Sequence, residues 1–477
     1  SKVEIETQSY LPDAASVFWS CDGTSSYEIG PASRKTRGTQ ITLYLDDQNL
    51  EYLEESKLRE LLNRYCSFMP FPITLNGKAL GNNPPLWMKN PTECEEKEYL
   101  EFYRKLFPMD ADPLFWVHLN VDYPFHLKGI LFFPKTQRRF DQNENTIKLF
   151  CNRVFVSENC KEILPDYLMV LRGAIDSPDI PLNVSRSYLQ VDQNVRQLSS
   201  HITKKITDKL STFLRNEKEK YIEAWPEIEL FLKLAILQDD KFYERAKDLL
   251  IWKNSEDAWT TASEYLERSK EKSIYYTTST HTSPLFNLYK EKNIEILFAT
   301  SPIDTALIQF LESKLSASFK RIDGDCPSHL LDPSKEKSLL DADGKSEAAK
   351  IADWIRTALN AQEQEIEVEA KSLASEKLPA LLMLDENQRR MRDYVALTQG
   401  KTSFAMPTKK TFIVNTNNKL IQAIAKLGAK EPETATQMTR SLYDLSLLGQ
   451  REMEMSDLDR VLSQQTEILE KLASLLA

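Results

Sequence analysis

Asp176-Ser-Pro-Asp-Ile-Pro-Leu-Asn-Val-Ser-Arg-Ser-Tyr-Leu-Gln190 is the stretch around which the chain is organised. Pro178 and Pro181 keep its first half out of a helix and bias it toward extended backbone. A long amphipathic helix is predicted to begin at Asn183 or Ser185, both good N-cap residues. Val191, Val195, Leu198, Ile202, Ile206, Leu210 and Phe213 then recur at steps of three and four, which makes one buried helical stripe. Arg186 falls in the first turn of that helix, where the macrodipole disfavours a cation and an anion should compensate it. The residues alone leave two readings open. One is a local ion pair with Asp176 or Asp179. The other is a loop-borne cation held for a phosphate, with Gln190 one turn later on the same face.

The rest of the composition narrows the class. At 477 residues the chain is too long for one core and implies roughly three domains. Hydrophobic residues at 41% and charged residues at 28% describe an ordinary globular protein. A formal net charge of −10 argues against sequence-independent nucleic-acid binding, which wants a basic face. Cys21, Cys66, Cys94, Cys151, Cys160 and Cys326 stand at no metal-ligand or redox spacing and read as reduced thiols, mostly in the core. With five histidines and no His-x-x-x-His pair, no metal site is expected. No apolar run has the length of a membrane span, so a membrane partner is not expected and a cytoplasmic location is. No nucleophile–base pair or complete Gly-rich phosphate cradle supports an unrelated α/β enzyme.

The longer run Ile163-Leu-Pro-Asp-Tyr-Leu-Met-Val-Leu-Arg-Gly-Ala-Ile-Asp-Ser-Pro-Asp-Ile-Pro-Leu-Asn-Val-Ser-Arg-Ser-Tyr-Leu-Gln190 resembles the middle-domain signature of the heat-shock protein 90 chaperones, bacterial HtpG type. The resemblance implies that Arg186 reaches the γ-phosphate of ATP held by a separate N-terminal domain. It also implies that Gln190 assists, and that Asn183 and Ser185 shape the loop. Arg37-Gly-Thr-Gln-Ile-Thr-Leu43 is similar to the last part of that ATP-binding domain, with Thr39 aligned to a pocket-lining Thr. The catalytic Glu, the magnesium-binding Asn, the adenine loop and the Gly-rich lid of the family have no counterpart here. ATP with Mg2+ is therefore expected in a complete protein, and no nucleotide is expected to bind this chain alone. An ATPase is implied for the parent protein. Phe140, in the loop Pro134 to Asn145, is the residue implied to touch client proteins, amid Arg138 and Arg139 that depart from the family's apolar tip.

The implied architecture is α/β in several domains. Residues 1–75 would be the end of a GHKL-type ATPase domain, with a half-buried strand at Gln40–Leu45 (Ile41, Leu43 and Leu45 inward), a helix at Glu51–Tyr65 and a strand near Phe71. Asp22 to Gly30 reads as a strand–turn–strand connection. Residues 76–84 form a turn-rich linker. Residues 85–325 would be a two-part α/β/α middle domain. Its large part, 85–220, holds a helix at Glu96–Phe107 and strands at Trp116–Val121, His126–Phe133 and Thr146–Phe155. Its small part, 221–325, follows with parallel strands at Ser273 and Glu295. Residues 326–477 would be a mainly helical C-terminal domain with strands at Ile366–Ala370 and Thr411–Val414. Its last helix, Ser456 to Leu476, carries more apolar surface than a lone helix leaves wet, and the resemblance implies homodimerisation there. Two functions fit: an ATP-driven dimeric clamp that binds partly folded clients, or a nucleotide-independent dimeric holdase.

Overall fold

In the computed structural model the described residues are 2–81, 84–135, 147–158, 164–180, 193–269, 271–280, 283–324, 326–332, 334, 346–360, 366–399, 409–450, 452–453 and 455–476. The chain divides into two compact units, 1–205 and 206–477, both mixing helix and strand.

Unit 1 opens with an antiparallel sheet of β1 (Lys2–Gln8), β2 (Val17–Cys21), β3 (Glu28–Pro31) and β4 (Gly38–Tyr44) in the order β3-β2-β1-β4. The Asp22 to Ser26 turn joins β2 to β3, as its Asp-Gly chemistry predicts. The register sets Ile5 beside Ile41 and Trp19, and Trp19 beside Ile29, so one face is apolar. Val3, Ile5, Trp19 and Leu45 are half-buried as the alternation implies, but Ile41 and Leu43 are not. Ile41 is 60% exposed and Leu43 62%. Alternation identifies which face is apolar, whereas burial depends on a second layer over it. Helix α1 (Glu55–Cys66) and the hairpin β5 (Ile73–Leu75) with β6 (Lys78–Leu80) follow.

The core of unit 1 lies between α2 (Glu96–Leu106) and a five-stranded sheet. Glu95 and Glu98 cap α2 reciprocally, and the helix turns Tyr99, Phe102 and Tyr103 inward. The sheet runs β10 (Val154–Ser157), β9 (Ile147–Cys151), β11 (Arg172–Asp176), β8 (Leu127–Phe133) and β7 (Phe115–Val121). Its only parallel pair among the described strands is β11 with β9. The single strand expected over Thr146–Phe155 is two strands. Asn152 and Arg153 take positive φ, and a tight turn there folds the run back on itself. Phe68, just after α1, joins this core, with its ring 4.9 Å from that of Trp87. Helix α3 (Gln193–Asn216) carries the predicted stripe, since Leu198, Ile202, Ile206 and Leu210 are all buried.

Unit 2 continues with α4 (Lys218–Gln238), α5 (Asp240–Ala246), the short pair β12 (Trp252–Lys253) and β13 (Trp259–Thr260), and α6 (Ala262–Arg268). A parallel sheet β15-β14-β16 follows, built from β14 (Ser273–Thr277), β15 (Ile296–Phe298) and β16 (Ser318–Arg321), with crossover helices α7 (Pro284–Glu291) and α8 (Asp304–Leu315). Lys233 of α4 is fully buried and is neutralised by Glu229 and Asp304. The last part packs α9 (Glu347–Ala358), α10 (Glu386–Gln399), α11 (Lys419–Gly428), α12 (Pro432–Gly449) and α13 (Leu458–Leu476) with a mixed sheet. That sheet is ordered β17 (Ile366–Lys371), β19 (Lys410–Asn415), β18 (Ala380–Leu384). One continuous core joins Tyr275, Phe286, Leu288 and Tyr289 from the parallel sheet and α7 to Leu381, Met383 and Ile413 from the mixed sheet. Beside it Arg390 of α10 reaches Glu312 and Glu386 at 2.8 Å each and the Phe319 carbonyl at 2.9 Å.

Two glycines allow β11 and β8 to pack at the centre of the five-stranded sheet. Gly173 has φ +144°, and a Cβ there would collide with the Ile130 carbonyl; a Cβ on Gly129 would collide with that of Ala174. Gly173→Ala should therefore destabilise unit 1 by more than about 2 kcal/mol, with hydrogen exchange accelerating through β8 and β11. Gly30→Ala, which opens onto free space, is the control and should leave exchange there unchanged.

Candidate functional site

The region to which the sequence points is the C-terminal end of β11, where the chain leaves the sheet for Arg186. Asn183, Ser185, Arg186 and Gln190 fall outside the described residues, as does Phe140. The approach to them is described through Ile180, which is 4% exposed. Thr39 is described. It lies exposed on β4, with its hydroxyl 2.8 Å from that of Thr7. Thr39 shares the face of β4 that carries Ile41.

Asp176, Ser177 and Asp179 each hold defined partners. Asp176 closes β11 and is buried. Its carboxylate accepts the indole N–H of the fully buried Trp87 at 3.3 Å and the backbone N–H of Arg153 at 3.1 Å. Burial pushes the Asp176 carboxyl above its ordinary range, and those two donors pull it partly back. Ser177 continues the parallel ladder, its N–H donating to the Phe150 carbonyl at 3.1 Å. Its hydroxyl donates to the His126 carbonyl at 2.7 Å. Asp179 accepts the backbone N–H of His126 at 2.5 Å, with the ring Nδ1 at 3.2 Å. The two carboxylates that the sequence offers to Arg186 as ion-pair partners therefore hold other groups.

Sequence reading gave Trp87 and Ser177 no role and took His126 as a structural residue of its strand, which is how its backbone is used. Trp87 had a signal, since a Trp in a Pro-Leu-Trp turn must bury its ring and satisfy its N–H. Its partner, 89 residues away, had none. Among the described residues no three His, Cys, Asp or Glu side chains gather as a metal site. Cys21, Cys66, Cys94, Cys151 and Cys326 are half-buried, with Cys94 and Cys326 packed against the core as expected, and Cys160 lies outside the described residues. No helix among the described residues is long and apolar enough to cross a membrane.

A family model described as Hsp90 protein matches residues 77–475, which takes in α2, the five-stranded sheet and the run into Arg186 in unit 1 and nearly all of unit 2, but not the N-terminal sheet β1–β4. This chain belongs to the Hsp90 family. It is 35% identical over 461 residues to the chaperone protein HtpG of Bacteroides fragilis, covering 91% of this chain and 67% of that one. To its namesake in Bacteroides thetaiotaomicron it is 34% identical over 489 residues, covering 96% and 70%. To that of Porphyromonas gingivalis it is 35% identical over 457 residues, covering 90% and 66%. This Hsp90 chain thus spans about two thirds of the length of those relatives. The mixed α/β, multidomain architecture agrees with that membership, and the chain is a molecular chaperone of the HtpG type.

The environment of Asp176 gives a pH test with a defined sign. A raised folded-state pKa means that the folded chain favours the protonated carboxyl. Asp176 then contributes stability below its unfolded value, about 3.9, and loses that contribution as pH rises through the higher folded value. Asp176→Asn stays neutral throughout and keeps an acceptor for Trp87. Its stability relative to the native chain should rise as pH increases from about 4 to 7. Urea unfolding followed by Trp fluorescence measures this, and parallel pH profiles for the two proteins would contradict it.

Proposed function

We propose that this chain supplies the catalytic loop, the client-handling body and the dimerisation region of an ATP-driven clamp. What supports the reading is the family match through residue 475 together with the Asn183-Val-Ser-Arg186 motif directly after β11. Arg186 is the group proposed to meet the γ-phosphate of the substrate ATP, with Gln190 assisting and Asn183 and Ser185 shaping the loop. A guanidinium there would neutralise charge developing on phosphate oxygens, an effect worth orders of magnitude in rate. ATP and Mg2+ would be held by the ATP-binding domain of which residues 1–75 are the end, with Thr39 contributing at its margin. Partly folded proteins are the proposed partners and the cytoplasm the proposed compartment; neither nucleic acid nor membrane is a proposed partner.

The proposed dimer rests on α12 and α13. Val461 is buried while Leu462 is 56% and Leu469 65% exposed, and Leu445 and Leu448 of α12 are also exposed. A helix that buries one stripe and leaves a second apolar stripe wet is suited to another subunit. A nucleotide-independent holdase would use the same dimer, so dependence on ATP separates the two readings.

In a fusion that places a heat-shock protein 90 ATP-binding domain ahead of Ser1, Arg186→Ala should lower ATP turnover at least a hundredfold at unchanged nucleotide affinity. Turnover unaffected by Arg186→Ala would return Arg186 to a local ion pair with Asp176 or Asp179, and binding of partly folded protein that is the same with and without ATP would favour the holdase. The intact chain should run at twice its 55.0 kDa mass in light scattering at micromolar concentration, and Leu462→Asp with Leu469→Asp should return it to monomer.

A further inference from the structure

We propose that Ser177 and Asp179 are positioning residues that latch the root of the Arg186 segment onto β8. This inference rests on the reading of Arg186 as catalytic. The β11–β8 ladder pairs Asp176 with Lys128, and two more residues of that register bring Pro178 opposite His126. Proline has no N–H to give, so the ladder cannot continue through backbone groups. The flanking side chains replace it. The Ser177 hydroxyl donates to the His126 carbonyl, and the Asp179 carboxylate accepts the His126 backbone N–H, so both polar backbone groups of one residue are bracketed.

The latch differs from ordinary loop hydrogen bonding in where it sits. The main-chain N–H of Ser177 is held by Phe150 on the other side of β11, and Ile180 is buried three residues later. The backbone is therefore fixed from the sheet to Ile180, six residues before Arg186. An arginine that must meet a transferring phosphate gains from such a fixed origin, because a misplacement of about 1 Å can cost a hundredfold in rate. Neither Ser177 nor Asp179 is proposed to touch ATP. They act through the chain that carries Arg186.

The experiment compares Ser177→Ala/Asp179→Ala, Asp179→Asn and Arg186→Ala, with turnover and nucleotide affinity measured in the fusion and hydrogen exchange in the chain itself. The double variant should lower turnover at least tenfold with affinity unchanged. It should accelerate exchange in peptides spanning 177–192 and leave β8 residues 127–133 as protected as before. Asp179→Asn should retain most of the turnover, because its amide oxygen still accepts the His126 N–H. Native turnover in the double variant, with Arg186→Ala inactive, would overturn the latch and spare the catalytic reading. Native turnover in Arg186→Ala would overturn the catalytic reading; exchange then decides the latch, which unchanged exchange over 177–192 would refute.

Discussion

Pro178 ends the backbone ladder between β11 and β8 at the point where the chain must leave the sheet. Much of the surrounding construction answers that break. Ser177 and Asp179 hold His126 on one side, and the Ser177 N–H holds Phe150 on the other. Asp176 spends its carboxylate on Trp87 and on the turn at Arg153. That turn is the one that folds β9 back into β10. Three neighbouring residues of one short motif, through side chains and one backbone N–H, thus tie together the start of β8, β9, the β9–β10 turn and the aromatic core under α2. A proline that looks like a simple stop signal turns out to organise the side chains around it.

The glycines at 129 and 173 belong to the same construction. They let two central strands approach with no side chain between their backbones, while Trp87, Phe102 and Phe132 pack the sheet face turned toward α2. Asp176 is consequently held in a site too dry to favour its charged form. Its two N–H donors are what make a carboxylate tolerable there.

Where the sequence was legible, it was legible through periodicity. The stripe through Leu198, Ile202, Ile206 and Leu210 and the inward face of α2 follow directly from spacing, while the parallel strands β14 and β15 were legible as short apolar runs. Several strands were missed, and two of them show the physical reason. Ser318–Arg321 is short and polar and becomes strand β16 only by pairing with β14, 45 residues away. Ala380–Leu384 is five apolar residues whose run carries no period, and its strand character comes from pairing with β19. The exposed Ile41 and Leu43 err in the opposite direction, since the pattern identified an apolar face but said nothing about what covers it. At the candidate site, the motif located the loop and its acids. The partners of those acids, His126 and Trp87, lie 53 and 89 residues from them in sequence, beyond the reach of any local rule.

The continuous core that joins Tyr275, Leu288 and Tyr289 to Leu381, Met383 and Ile413 bears on how the molecule can be dissected. A cut between residues 325 and 326 falls within that core and not beside it. Each half would carry away one wall of a hydrophobic interior, and Arg390 would part from Glu312 and the Phe319 carbonyl. Such halves would be sticky and would have lost buried charge partners, costs of several kcal/mol that a small fragment rarely withstands. The same continuity makes the parallel sheet, the mixed sheet and the helices packed on them one module, and it means that a load applied at α7 would be felt at β19.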